Sequence, residues 1–146
     1  MTTDAAHRSV RLERIKVNAY TAVNERGGTI SMGTGDGTDF TPVELLLAAI
    51  GGCTAIDVDS LTSRRAEPDS FEIVIEADKV RDTAGNHLAD IQVTFRLAFP
   101  AGEQGDKARQ LLPDAVSMSH DRLCTVSRTV ELGTPITPRI ESPSVA

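Results

Sequence analysis

Two cysteines, Cys53 and Cys124, are the residues of this 146-residue chain with the most reactive side chains. A thiol is a useful nucleophile only as its thiolate, so a reactive cysteine needs a cation or a helix N-terminus beside it. Cys53 lies about three turns into a helical stretch, about 16 Å from its first turn at 1.5 Å per residue. The helix dipole fades within one turn. Any activation of Cys53 must therefore come from a cation elsewhere in the fold. Cys124 has His120, Arg122 and Arg128 near it in sequence. The plainer reading of those three is surface charge, and of Cys53 alone a small, inert core hydrophobe.

Other chemistries find less support. His7, His87 and His120 show neither HExxH nor CxxC spacing, which argues against a structural or catalytic zinc site. Gly33–Asp39 matches a phosphate loop only in its glycines and has no Gly-Lys-Ser/Thr, so a plain linker is expected. A thiol hydrolase would need a Cys-His-Asn/Asp set, and His120 lies beside the other cysteine.

The element that must position Cys53 is Thr41–Arg64, which reads as one long helix. Thr41 is a good N-cap, Pro42 fits the first helical position, and Glu44 completes a Thr-x-x-Glu capping box. From Val43 to Ile56 only Glu44 and Thr54 are polar in side chain, glycine apart, which predicts a buried helix. The run falls short of the roughly 20 apolar residues of a bilayer span. Gly51-Gly52 directly before Cys53 costs about 1 kcal/mol per glycine relative to alanine. That cost implies a need for close approach, served by small residues one turn apart: Ala48 with Gly52, and Ala49 with Cys53.

Around this helix the pattern alternates as sheet does. Val10–Val23 reads as a strand with a bulge near Arg14-Ile15, then a turn at Asn24–Gly28 and a short strand at Thr29–Met32. Phe71–Val80 and Leu88–Phe99 read as partner strands. Phe71, Ile73, Ile75 and Ala77 share one face of the first, and Ile91, Val93, Phe95 and Leu97 one face of the second. Gln92, Thr94 and Arg96 alternate with them, the mark of a sheet with one wet face. Asp106–Arg122 is helical with Ala108, Leu111, Leu112, Ala115, Val116 and Ser119 inward, and Pro113 should kink or split it. Val130–Ile136 is read as a last strand. Residues 1–7 and 138–146 are expected to be flexible tails. The order βββ–long α–ββ–α–β, allowing one extra short strand, is α+β with an antiparallel sheet.

The whole sequence is most simply a single domain, 1–146, with 40% apolar and 25% charged residues. Its net charge of −6 and one Tyr, four Phe and no Trp argue against nucleic-acid or anionic-membrane partners. No apolar segment follows Met1, and two cysteines without a sign of secretion point to reduced thiols in a cytoplasm.

Thr-Pro-Val-Glu-Leu-Leu-Leu-Ala-Ala-Ile-Gly-Gly-Cys53 resembles the Asn-Pro-Glu-x-Leu-x-Ala-Ala-x-x-Ala-Cys helix of the OsmC/Ohr family (osmotically induced protein C and organic hydroperoxide resistance protein). His120–Thr129, with Cys124, is similar to the family's Cys-Pro-x-Ser segment. Tyr20–Gly28 resembles its N-terminal hairpin with an arginine at the turn. The resemblance implies an intertwined homodimer, with antiparallel sheets wrapped around the long central helices and Gly51, Gly52 and Ala48 at their close approach. It implies a thiol peroxidase without metal or cofactor. Cys53 would attack the peroxide and become a sulfenic acid, Cys124 would resolve it as a disulfide, and an external dithiol would reduce that bond. Arg26 would lower the Cys53 pKa and polarise the leaving oxygen.

Two departures mark a divergent branch. Val43 stands where the family has a carboxylate, and Thr125 where it has the proline after the second cysteine. Glu44, nine residues before Cys53, is about 180° away round an ideal helix. It is therefore assigned to the capping box. Asp57, at i+4 from Cys53, shares its face and is the candidate to hold Arg26; unpaired, it would raise the thiol pKa. The leading expectation is a cytoplasmic, dimeric peroxidase acting on organic hydroperoxides or hydrogen peroxide. Its rival is a non-catalytic dimer of the same build that binds a small apolar ligand or serves as a stress-associated scaffold.

Overall fold

The computed structural model describes residues 5–145. The chain divides into two compact units, with the boundary between Ala48 and Ala49.

The first unit carries a three-stranded antiparallel sheet, β1 (Val10–Lys16), β2 (Ala19–Asn24) and β3 (Thr29–Met32), in the order β1-β2-β3. Val10–Val23 is thus not one strand but a hairpin. Asn18 takes φ of 62°, a left-handed conformation that asparagine tolerates and most residues do not. Alternation carries on across so tight a turn, which hides it in the sequence. The register shifts between Arg14 and Lys16, a bulge where the alternation slips. At the β2–β3 turn the Asn24 Oδ1 accepts the Arg26 and Gly28 backbone N–H groups at 3.0 and 2.8 Å.

α1 (Pro42–Thr62) follows the capping signals. The Thr41 hydroxyl oxygen accepts the Glu44 N–H at 3.2 Å and itself donates to Glu44 Oε1 at 3.0 Å. Only one stripe of the helix is deeply buried: Ile50, Gly51, Thr54, Val58 and Thr62. Leu46 and Ile56 are 39% and 70% exposed, so apolar side chains of the helix lie open among the described residues. By length and composition it is the one described helix that would reach across a bilayer, a longer apolar element than the run to Ile56 suggests.

In the second unit β4 (Ser70–Asp82) and β5 (Gly85–Ala98) form a long antiparallel hairpin. Its register pairs Phe71 with Leu97, Ile73 with Phe95 and Ile75 with Val93, the expected apolar face. On the wet face Arg96 meets Glu72 at 3.1 Å. Gly51 of α1 lies against this hairpin so closely that a Cβ would overlap the Ile75 side chain.

α2 (Glu103–Met118) runs unbroken through Pro113. The proline is exposed, as is Arg109 one turn before it, so the carbonyl left without an N–H partner can face water. The helix changes character later, in a π-helical turn at Ser119–Leu123. α3 (Thr125–Glu131) then replaces the start of the expected last strand, and no described residue after it is in a strand. Val130 completes a helical turn because Cys124 caps that helix; the β-branched residues around it had suggested sheet. The α+β class with antiparallel sheets stands.

Candidate active site

The second unit brings the two cysteines together. Cys53 sits on α1, half-buried, and Cys124 sits between the π-helical turn and α3, fully buried. The two thiols lie close enough for each to act on the other's ionisation. Both are free thiols.

Local chemistry fixes Cys124. Its N–H donates to the Ser119 carbonyl at 2.8 Å, which closes the π-helical turn. Its sulfur accepts the Ser127 N–H at 3.4 Å and lies 3.3 Å from Ser127 Oγ. A sulfur at the N-cap therefore does what a serine or aspartate oxygen usually does for the first free amides of a helix.

The electrostatics of the pair differ from the expectation. Burial raises the Cys53 thiol above its ordinary value; the Val126 backbone N–H opposes this, while the bond to Cys124 and the charges of Cys124 and Asp57 add to it. Burial acts on Cys124 in the same sense. There it is outweighed by hydrogen bonds from the Ser127 side chain, the Cys53 thiol and the Ser127 and Val126 backbones, which hold Cys124 below the ordinary thiol value. Within this unit Cys124 is the lowered thiol of the pair and Cys53 the raised one. The groups that lower Cys124 are amides and hydroxyls rather than Arg122 or Arg128.

Asp57 accepts the Ser119 hydroxyl at 2.8 Å. Ser119 Oγ is also 2.9 Å from Thr54 Oγ1. Since the one hydroxyl hydrogen of Ser119 goes to the carboxylate, Thr54 donates to Ser119. Thr54 and Ser119 are both buried. Ser119 and Thr54 are site residues that no motif announces. Ser127 falls on the serine of the Cys-Pro-x-Ser segment that the Cys124 stretch resembles.

The same unit holds a cavity of about 340 Å³, whose lining includes neither cysteine. Ile50, Ile91, Val93, Phe95, Val116 and Val130 make most of its wall. Thr54 and Ser127, the polar neighbours of the two cysteines, also line it, together with His120 and Glu131. His120 Nε2 meets Glu131 Oε1 at 2.7 Å and its Nδ1 meets Asp121 Oδ1 at 2.9 Å. These carboxylates raise the His120 pKa above its usual value.

Arg26 and Glu44 belong to the first unit. Arg26 is exposed at the β2–β3 turn, and Glu44 is engaged in the capping box of α1. Among the described residues no cluster of His, Cys, Asp and Glu has the makings of a metal site.

The sequence profile of OsmC-like proteins matches residues 34–139. An uncharacterised protein of Mycobacterium tuberculosis H37Rv is 27% identical over 126 residues, covering 86% of this chain and 90% of its own. Among solved structures, an OsmC-like protein of unknown function from Vibrio cholerae superposes with a TM-score of 0.71 at 14% identity, over 87% of this chain and 95% of that one. The organic hydroperoxide resistance protein OhrB of Bacillus subtilis gives 0.52 at 16% identity, over 85% and 90%. These likenesses, at low identity, speak for the fold. With the profile match across most of the sequence, the chain belongs to the OsmC-like protein family.

Proposed function

We propose that this protein is a thiol-dependent peroxidase that reduces organic hydroperoxides through its two cysteines. One observation carries the reading: a half-buried thiol and a buried thiol close enough to act on each other, in a unit whose apolar cavity is lined by Thr54 and Ser127 next to them. Cys53 is the more accessible sulfur and meets the peroxide. Its proton passes to Cys124, and the Cys53 thiolate attacks one peroxide oxygen. The O–O bond breaks, sulfur is oxidised by two electrons to the sulfenic acid, and the alkoxide takes the proton from Cys124 and leaves as the alcohol. Cys124, again as thiolate, then attacks the Cys53 sulfur and expels hydroxide, which leaves as water. An external dithiol reduces the resulting disulfide by two electrons and restores both thiols.

The cavity favours an alkyl hydroperoxide over hydrogen peroxide, since its wall rewards buried hydrocarbon. The family resemblance supports assigning Arg26 as the cation at the attacking sulfur. It also supports a homodimer, in which the exposed apolar side of α1 would be covered. The test is consumption of cumene hydroperoxide by the purified protein with a dithiol, with mass spectrometry of the oxidised form. The expected result is turnover, a Cys53–Cys124 disulfide, and loss of both in Cys53→Ser. Absence of turnover with every hydroperoxide tried would overturn the reading.

A second reading is favoured by the raised Cys53 thiol: a non-catalytic member of the family that binds a small apolar ligand in the same cavity. It requires Cys53 to titrate like an ordinary buried thiol. A measured Cys53 pKa near or below about 7 would exclude it.

A further inference from the structure

We infer that Ser119 is the positioning residue that sets the approach of the two sulfurs, by tying the segment that carries Cys124 to the face of α1 that carries Cys53. The inference rests on the two-cysteine reading above and adds to it the residue that makes the pair.

Ser119 is fully buried and uses both its side chain and its backbone. Its hydroxyl donates to Asp57 Oδ2 at 2.8 Å and accepts from Thr54 at 2.9 Å. Thr54 and Asp57 are one residue and one turn beyond Cys53 in α1, so this pair of bonds grips the helix beside the sulfur. The Ser119 carbonyl accepts the Cys124 N–H at 2.8 Å. A single residue thus holds the backbone of one cysteine and the side chains flanking the other.

The surroundings make the grip consequential. A π-helical turn carries one residue more per turn than an α-helix, and such turns collect at functional sites. Here the turn Ser119–Leu123 delivers Cys124 to α1. A hydrogen bond to a carboxylate is stronger than one between neutral groups, and Thr54 polarises Ser119 further. Without the hydroxyl, Asp57 loses its partner and the turn is free to drift from the helix. A shift of about 1 Å at reacting atoms is enough to cost 100-fold in rate.

The test uses the thiol oxidant diamide, so that it does not depend on peroxide chemistry. The Cys53 thiolate adds to the N=N bond. Cys124 then displaces the hydrazine, which carries off two electrons and two protons and leaves the disulfide. Disulfide formation is followed by loss of titratable thiol in the wild type, Ser119→Ala, Asp57→Ala and Asp57→Asn, each checked by circular dichroism. The expected result is a fall of at least tenfold in Ser119→Ala and Asp57→Ala. Asp57→Asn, whose amide oxygen still accepts the Ser119 hydroxyl, should recover to within about threefold of the wild type. With excess peroxide, the first two variants should accumulate Cys53 sulfinic acid instead of disulfide. Should Ser119→Ala fail to fold, the two Asp57 variants decide the matter. Wild-type rates in folded Ser119→Ala, equal rates in Asp57→Asn and Asp57→Ala, or no wild-type disulfide with diamide would each overturn the inference. A wild type that forms the disulfide with diamide but never turns over peroxide would instead remove the peroxidase reading and leave the positioning role standing.

Discussion

Cys124 caps α3 with its own sulfur: Sγ accepts the Ser127 N–H at 3.4 Å and stands 3.3 Å from the Ser127 hydroxyl. The thiolate gains from both contacts, because an amide or hydroxyl hydrogen bond is stronger to an anion than to a neutral thiol. Ser127→Ala removes the hydroxyl and leaves the amide in place. The Cys124 thiol should then rise from its lowered position toward the ordinary value. Alkylation rate against pH in a Cys53→Ser background reads the midpoint. A midpoint that stays or falls would show that Ser127 does not stabilise the thiolate.

Asp57 acts on Cys53 in two opposed ways. Its charge raises the thiol, and its bond to Ser119 helps to hold the site together. Asp57→Asn separates the two, since the amide keeps an acceptor and loses the charge. In a Cys124→Ser background the Cys53 midpoint should move to lower pH. In the two-cysteine protein, the pH at which peroxide attack reaches half its maximum should follow. A midpoint moving upward would mean that Asp57 faces a cation outside this unit and serves the thiolate through it.

His120 ties the π-helical turn to the end of α3 through Glu131 and is raised by Asp121 and Glu131 together. A raised histidine binds its proton more tightly folded than unfolded. Its contribution is complete below the unfolded value of about 6.5 and is lost as pH rises through the folded value. All three side chains are more than half exposed, so the effect should stay below about 1 kcal/mol. His120→Ala should lower Tm at pH 5.5 and change it little at pH 9. Equal losses at both pH values would point to packing rather than charge.

The helix and its cap were legible because each residue votes locally: Thr41, Pro42 and Glu44 fix the start. The β4–β5 face was legible because alternation and burial agree over Phe71–Leu97. The β1–β2 turn and α3 were not. Asn18 makes its turn in two residues without glycine, and α3 starts on a cysteine sulfur, a capping group that residue preferences do not weigh. The cysteine pair came from resemblance, not spacing, since Cys53 and Cys124 meet only through tertiary structure. The Ser119–Asp57–Thr54 grip had no local signature at all beyond the inward place of Ser119 on the expected helix Asp106–Arg122. The direction of the thiol shifts depends on hydrogen bonds that only the folded chain supplies.

The two glycines before Cys53 are not equivalent. A Cβ on Gly51 would overlap Ile75, whereas one on Gly52 meets nothing within 4 Å among the described residues. Gly51→Ala should cost about 1–3 kcal/mol by overpacking. Gly52→Ala should gain up to about 1 kcal/mol of helix propensity. Urea unfolding of both variants reads the difference. A loss in Gly52→Ala, accompanied by a change in sedimentation coefficient, would show that a second copy lies against this side of α1.

The cavity offers the sharpest test of what the protein takes. Val116 of α2 lines it opposite the β5 residues Ile91, Val93 and Phe95. Val116→Phe places a larger ring in a space of about 340 Å³ whose lining includes neither cysteine. An alkyl hydroperoxide must share that space, and each CH2 it can no longer bury costs about 0.8 kcal/mol, close to fourfold in affinity. KM for cumene hydroperoxide should therefore rise at least tenfold. Hydrogen peroxide has no hydrocarbon to place, so its second-order rate should stay within about twofold. The contrast between the two substrates is the informative quantity, because a variant that merely disturbs the cysteines slows both alike. If cumene hydroperoxide is unaffected while the variant is folded, the cavity is not where the alkyl group sits.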